Sequence, residues 1–167
     1  MRFPSVRGVA VALALLAAGC GDDGPTQPTR VRVNYQGQWT GDYSVSACTA
    51  TGAAFTGFCT DGFRVGNIYP MTLTLTQAND AVSGTLQLGT INYPVSGPVS
   101  ADGRLLLTGA ATVVQGATQA QSTLGNWSTT LSGTTSMVGG WGTSWTVNAG
   151  VGNGQVTHTI RILTKTG

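Results

Sequence analysis

Glutamate is absent from this chain, histidine occurs once, and charged residues of every kind make up only 8% of it, against roughly 25% in an ordinary soluble domain. General acid–base pairs, hydrolytic triads and metal sites need clustered carboxylates, imidazoles or thiols, and this shortage leaves little to build them from. Gly142-Thr143-Ser144-Trp145-Thr146 lacks the second glycine of a nucleophile elbow. Gly150-Val151-Gly152-Asn153-Gly154 has neither the lysine nor the following helix of a phosphate loop. The nearest approach to a cation site, Asp22-Asp23, sits in a segment that reads as a solvated spacer. No catalytic residue, metal site or cofactor is expected, and the chain is not read as an enzyme.

Charge of either sign is also missing in bulk. The formal value is +2, but Arg2 and Arg7 belong to an N-terminal leader. The cations beyond it are Arg30, Arg32, Arg64, Arg104, Arg161 and Lys165, and they match the six acidic residues, all aspartates. Balanced, scattered charge lacks the footprint of a nucleic-acid binder. Long apolar runs are lacking too. Past the leader, nothing approaches the roughly 18 consecutive apolar residues of a spanning helix.

What is present begins with that leader. Arg2 and Arg7 form a positive start, and Val9 to Ala18 form an apolar run too short to cross a bilayer. The run ends in Leu16-Ala17-Ala18-Gly19-Cys20. These residues resemble the lipobox of bacterial lipoproteins. The resemblance implies cleavage before Cys20, lipidation of that cysteine with palmitate-type chains, and several acyl groups holding the product firmly to a membrane. Residues 1–19 are then a lipoprotein signal peptide, and 20–30 a flexible tether rich in Gly, Pro and Asp. Residues 31–167 form the domain. The location implied is the cell envelope, lipid-anchored, and the outer membrane where a cell has two membranes. Any protein partner is unknown.

With Cys20 assigned to lipid, Cys48 and Cys59 remain. Outside the cytoplasm they pair as a disulfide, which would contribute about 3 kcal/mol by closing a short loop. The alternative is two free buried thiols.

The domain reads as strands. Met71, Leu73 and Leu75 alternate with Thr72, Thr74 and Thr76; Val82, Gly84, Leu86 and Leu88 alternate with Ser83, Thr85 and Gln87. Tyr93, Val95 and Gly97 continue the pattern, and Asp102-Gly103 turns the chain into a further strand over 104–114. A polar loop is expected over 115–122, then strands over 123–132, 136–147 and 155–165. Upstream, 37–48 alternates with Trp39, Tyr43 and Val45 on one face, whereas 54–65 shows no clear period. Val-Ser-Gly recurs at 82–84 and 95–97. Glycine within a strand marks a bend or close packing, and the tryptophans are candidate neighbours. About eight strands with short links form an all-β fold, a single antiparallel up-and-down barrel whose closure removes aggregating edges. A β-sandwich is the alternative.

Gly37-Gln38-Trp39 opens the first strand, and Arg161 lies in the last. This resembles the calycin arrangement of lipocalins, fatty-acid-binding proteins and avidins. There a tryptophan packs beneath a basic residue of the final strand and plugs one barrel end. The resemblance implies Trp39 and Arg161 as that plug, with Lys165 as the substitute, and a cup able to hold a small apolar molecule. Gly41 stands where the avidin pattern has asparagine, so biotin binding is not implied. An eight-stranded barrel can be packed solid or hold one small ligand. Tyr93, Trp127, Trp141, Trp145 and His158 are the candidate ligand-binding lining. Filling a solid core is their other reading, in which the barrel is a non-catalytic structural or partner-binding module. His158, in phase with Val156, Ile160 and Ile162, would point inward.

Overall fold

The computed structural model describes residues 32–115, 118–147 and 152–166. The signal peptide, Cys20 and the tether expected over 20–30 lie outside the described residues. Where apolar and polar residues alternate, the chain is strand. The eight strands are β1 (Gly37–Thr51), β2 (Ile68–Ala78), β3 (Ala81–Leu88), β4 (Ile91–Pro98), β5 (Thr108–Gln115), β6 (Thr118–Ser132), β7 (Ser136–Val147) and β8 (Gly152–Lys165). Each pairs antiparallel with the next, and β8 returns to β1. The fold is the all-β, up-and-down closed barrel.

Register explains why the interior is apolar. Trp39 lies opposite Leu73, Leu73 opposite Leu86, and Leu86 opposite Tyr93. All four are fully buried, so one belt crosses four strands. Fully burying a leucine contributes roughly 1.5–3 kcal/mol, and the belt holds two. The residues between them, Thr74, Ser83, Thr85 and Gln87 among others, face water. A membrane-spanning barrel turns its apolar side outward, and this one has the opposite polarity.

Several strand boundaries differ from the sequence pattern. The strand expected from residue 104 starts at Thr108. Residues 99–107 instead tuck under the barrel, where Leu105 bridges both Val99 and Thr129 and is fully buried with Leu107. The loop expected over 115–122 is largely β6, which starts at Thr118. It looks polar because its inward residues here are small, Ala120 and the buried Ser122. Likewise β8 starts at Gly152, since Gly152 and Gly154 face inward without side chains to show it. The glycines of the Val-Ser-Gly repeats do not meet tryptophans. Gly84 abuts the backbone of Thr74, and Gly97 that of Leu106.

Three register shifts re-aim side chains, as bulges do. In β8 an extra residue, Arg161, falls between Ile160 and Ile162 where β1 steps from Tyr43 to Asp42. Ile162, expected inside, is therefore 60% exposed, and Leu163 is buried in its place. In β1 the extra residue is Ser46, after which Cys48 sits opposite the buried Val156. In β6 the shift between Gly125 and Ser128 includes Asn126 at φ 53, a left-handed conformation asparagine tolerates. It delivers Trp127 to the interior.

Candidate functional site

The two ends of the barrel are built differently. At the base, where β1 starts and β8 finishes, residues 32–36 run beneath the strands. The buried Tyr35 receives the Trp39 Nε1–H on its carbonyl at 2.8 Å, and its hydroxyl donates to the Gly103 carbonyl at 2.8 Å. Gln77 clips the same segment, accepting from the Tyr35 N–H at 2.7 Å and donating to the Val33 carbonyl at 2.9 Å. The cation over the Trp39 ring is Lys165, its Nζ 5.7 Å from the centroid. Arg161, expected there, is exposed. The physical reason is register: Trp39 pairs with Lys165 across β1 and β8, and Arg161 is the bulged residue.

The opposite end carries a lid, residues 52–67, joining β1 to β2. Gly52 and Gly57, at φ 88 and 79, allow its two tight turns, Ala53–Phe55 and Phe58–Gly62. Cys48 and Cys59 are joined as a disulfide, tying the lid to β1. Backbone bonds between Val45 and both Gly66 and Asn67 fasten its far end. Tyr69 adds a bond from its hydroxyl to the Gly62 carbonyl at 2.6 Å. Phe55, Phe58 and Phe63 hang from this frame in ring contact, 4.8 Å from one to the next. Gly154 makes room for them: a Cβ there would lie 2.7 Å from the Phe58 ring.

Under the lid is a cavity of about 260 Å³. Its walls are mostly rings: Tyr43, Phe63, Tyr69, Tyr93 and Trp145, with His158 among them. Exposed wall residues Gly62, Pro70, Gly89 and Thr90 mark a mouth between the lid and the β3–β4 turn. Among the described residues, no aspartate, lysine or arginine lines it. Of the five candidate lining residues, Tyr93, Trp145 and His158 are on this wall. Trp127 and Trp141 are not. They stack 4.8 Å apart behind His158, which stacks on Trp141 at 4.9 Å. Tyr43 meets the imidazole edge-on at 5.1 Å.

The polar groups of the wall are few and mostly paired. Tyr93 shares a 2.7 Å hydrogen bond with the buried Ser122 hydroxyl. The buried Thr143 hydroxyl accepts from Trp145 Nε1 at 3.0 Å and bonds His158 Nε2 at 3.0 Å. His158 is 1% exposed, and its Nδ1 has no partner among the described residues. Burial holds its pKa down at about 4, so the imidazole is neutral at ordinary pH. Burial, then the neighbouring Tyr69 and Tyr93, pushes the Tyr43 hydroxyl above its usual range. The site is therefore a set of uncharged rings with hydrogen-bonding edges, suited to holding a molecule by shape and dispersion.

Sequence reasoning missed Phe63, Tyr69 and Thr143. Thr143 was signalled by phase, being the one hydroxyl between Trp141 and Trp145 on their shared face. The lid aromatics follow no period and carry no such signal. Among the described residues, no three metal-ligating side chains cluster. Comparison with family models, with curated proteins and with solved structures finds no match to this chain.

Proposed function

We propose that this chain is a cell-envelope lipoprotein, anchored through lipid on Cys20, whose lipocalin-like barrel holds a small apolar molecule beneath the disulfide-tied lid. The observation that carries the reading is the ring-walled cavity itself. Close-packed interiors leave few voids larger than a water molecule, yet here aromatic rings and the His158 imidazole border a space of about 260 Å³. Small-molecule sites have this composition, mostly apolar with a few placed polar groups. The outward polar faces suit a domain held off a membrane by a tether.

A second reading is favoured by the filled lower half. Trp39, Trp127 and Trp141 are all buried, and the cavity is slightly smaller than the roughly 300 Å³ at which ligand pockets begin. In that reading the barrel is a structural or partner-docking module. Native mass spectrometry of the protein isolated from its membrane fraction separates the two. A co-purifying small molecule, with quenched tryptophan fluorescence, supports ligand binding. An empty protein that no apolar probe quenches favours the docking module. The anchor has its own test: labelled palmitate should appear on the chain and vanish in Cys20→Ser.

A further inference from the structure

The closed barrel has one incomplete seam. Strands β4 and β5 are in register only at Val95–Gly109 and Ser96–Thr108. Toward the base the seam continues: the Leu106 N–H donates to the Pro98 carbonyl at 3.0 Å, and Val99 bridges Leu105. Toward the lid, the ladder ends.

Pro94 explains the break. The two-residue turn Gly89-Thr90 makes Leu88 and Ile91 a facing, hydrogen-bonded pair. Bonding direction then alternates along β4. Ile91, Tyr93 and Val95 turn their backbone groups to β3, whereas Asn92, Pro94 and Ser96 turn theirs to β5. The Pro94 carbonyl does face β5, 2.5 Å from where a Gly109 Cβ would stand. Proline has no N–H to give, so the next rung cannot form, and among the described residues the register is not resumed beyond it.

Side chains close what the backbone leaves open. Continuing the register sets Tyr93 opposite Ala111, which itself lies opposite Ser122 of β6. Ala111 is small, and the Tyr93 phenol reaches past it to the Ser122 hydroxyl at 2.7 Å, both residues fully buried. Ile91 and Val113 pack against the lid-end cluster beside this bond. Ile91 and Tyr93 are also cavity wall. Across the mouth, the lid is tied by the disulfide, by the backbone bonds to Val45 and by the Tyr69 hydroxyl. One hydrogen bond contributes about 1 kcal/mol and a disulfide about 3, so the seam is the weaker border of the cavity.

Resting on the ligand-binding reading above, we infer that the β4–β5 seam is the gate of the cavity, with the Tyr93–Ser122 hydrogen bond as its latch, and that ligands pass while the lid stays tied.

Asn92 and Thr112 are exposed and face each other in the continued register, which gives the test a handle. In Asn92→Cys/Thr112→Cys the two new thiols are bridged by a short bis-alkylating linker, with the lid disulfide left intact. Uptake of 1-nitronaphthalene, an uncharged quencher of tryptophan, is followed by stopped-flow fluorescence. An apolar cavity of about 150 Å³ accepts benzene, so this one of about 260 Å³ has room for a second ring. The bridged protein should take up the probe about tenfold more slowly than the same variant with its thiols capped separately. Tyr93→Phe should take it up about fivefold faster, the effect of losing one hydrogen bond. Ser122→Ala should do the same, and combining the two should add nothing further. Equal uptake by bridged and capped protein overturns the gate and leaves ligand binding standing. Additive effects at Tyr93 and Ser122, or none, overturn the latch. A probe that quenches no form of the protein takes down the ligand reading with the gate.

Discussion

The base and the lid end of this barrel use the same residue types to opposite purposes. At the base, Tyr35, Trp39 and Gln77 have their polar atoms engaged by backbone groups, and Tyr35 and Trp39 are fully buried. At the lid end, aromatic rings border a cavity, and the roof is fastened by a disulfide and a few hydrogen bonds; among the described residues, His158 Nδ1 and the deeper Trp141 Nε1 are buried without a hydrogen-bond partner. Tight packing with every group paired is how stability is reached. Departures from it are expected where a protein does its work. The difference teaches where to look: the base is a foundation, and the lid end is where the proposed ligand site lies.

The comparison is tested most severely at Trp39. Trp39→Ala removes the largest ring of the base and should destabilise the barrel by about 3–5 kcal/mol, read as a drop in the urea midpoint. An effect under about 1 kcal/mol would dissolve the distinction between the ends. Acid should act at the other end. His158 titrates near 6.5 when unfolded but is held by burial at about 4 in the fold. The unfolded chain therefore binds a proton that the native state refuses. Stability is full above the unfolded value and falls by about 3 kcal/mol as the pH drops toward 4. The nearby phenols Tyr43 and Tyr93, raised by burial, add no charge in that window. His158→Phe should flatten this slope in parallel urea titrations.

Replacing Cys48 and Cys59 together by serine should cost about 3 kcal/mol, from the loop their 11-residue separation closes. Hydrogen exchange should quicken in residues 52–67 more than in the belt of Leu73, Leu86 and Tyr93. Uniform quickening would mean the lid and barrel are a single unit. The smallest effect belongs to the cations. Lys165→Ala should cost about 0.5–1 kcal/mol through its contact with Trp39, whereas Arg161→Ala should stay within about 0.5 kcal/mol. The reverse order would restore Arg161 as the plug.

Much of the barrel was legible because strand alternation survives wherever the inward residues are large. Met71 to Val95 shows this, and its pairing follows the pattern without a shift. Legibility fails where inward residues are small, at Ala120, Ser122, Gly152 and Gly154, which read as loop. It also fails at bulges, where one extra residue changes the phase: Ile162 and Arg161 were both misplaced by the shift in β8. At the site, Tyr93, Trp145 and His158 were reachable from phase alone. Trp141 has the right phase too, and Trp127 is turned inward by the bulge in β6, but both lie too deep to reach the cavity. Depth along a barrel axis is set by strand stagger, which alternation does not encode. The lid was opaque because its phenylalanines answer to rings on other strands, Phe63 to Trp145 at 5.4 Å and to His158 at 6.1 Å.

Closure through β1 and β8 has a consequence for how the protein comes into being. The first strand finds its second neighbour only in the last one, with Trp39 opposite Lys165. Such distant pairings are slow to form, because the intervening chain must be ordered before they contribute. A ribosome still making β7 holds a chain that cannot yet close, and the base stays open until the final strand emerges. Under the proposed envelope location, that lateness would keep the polypeptide threadable until it had left the cytoplasm.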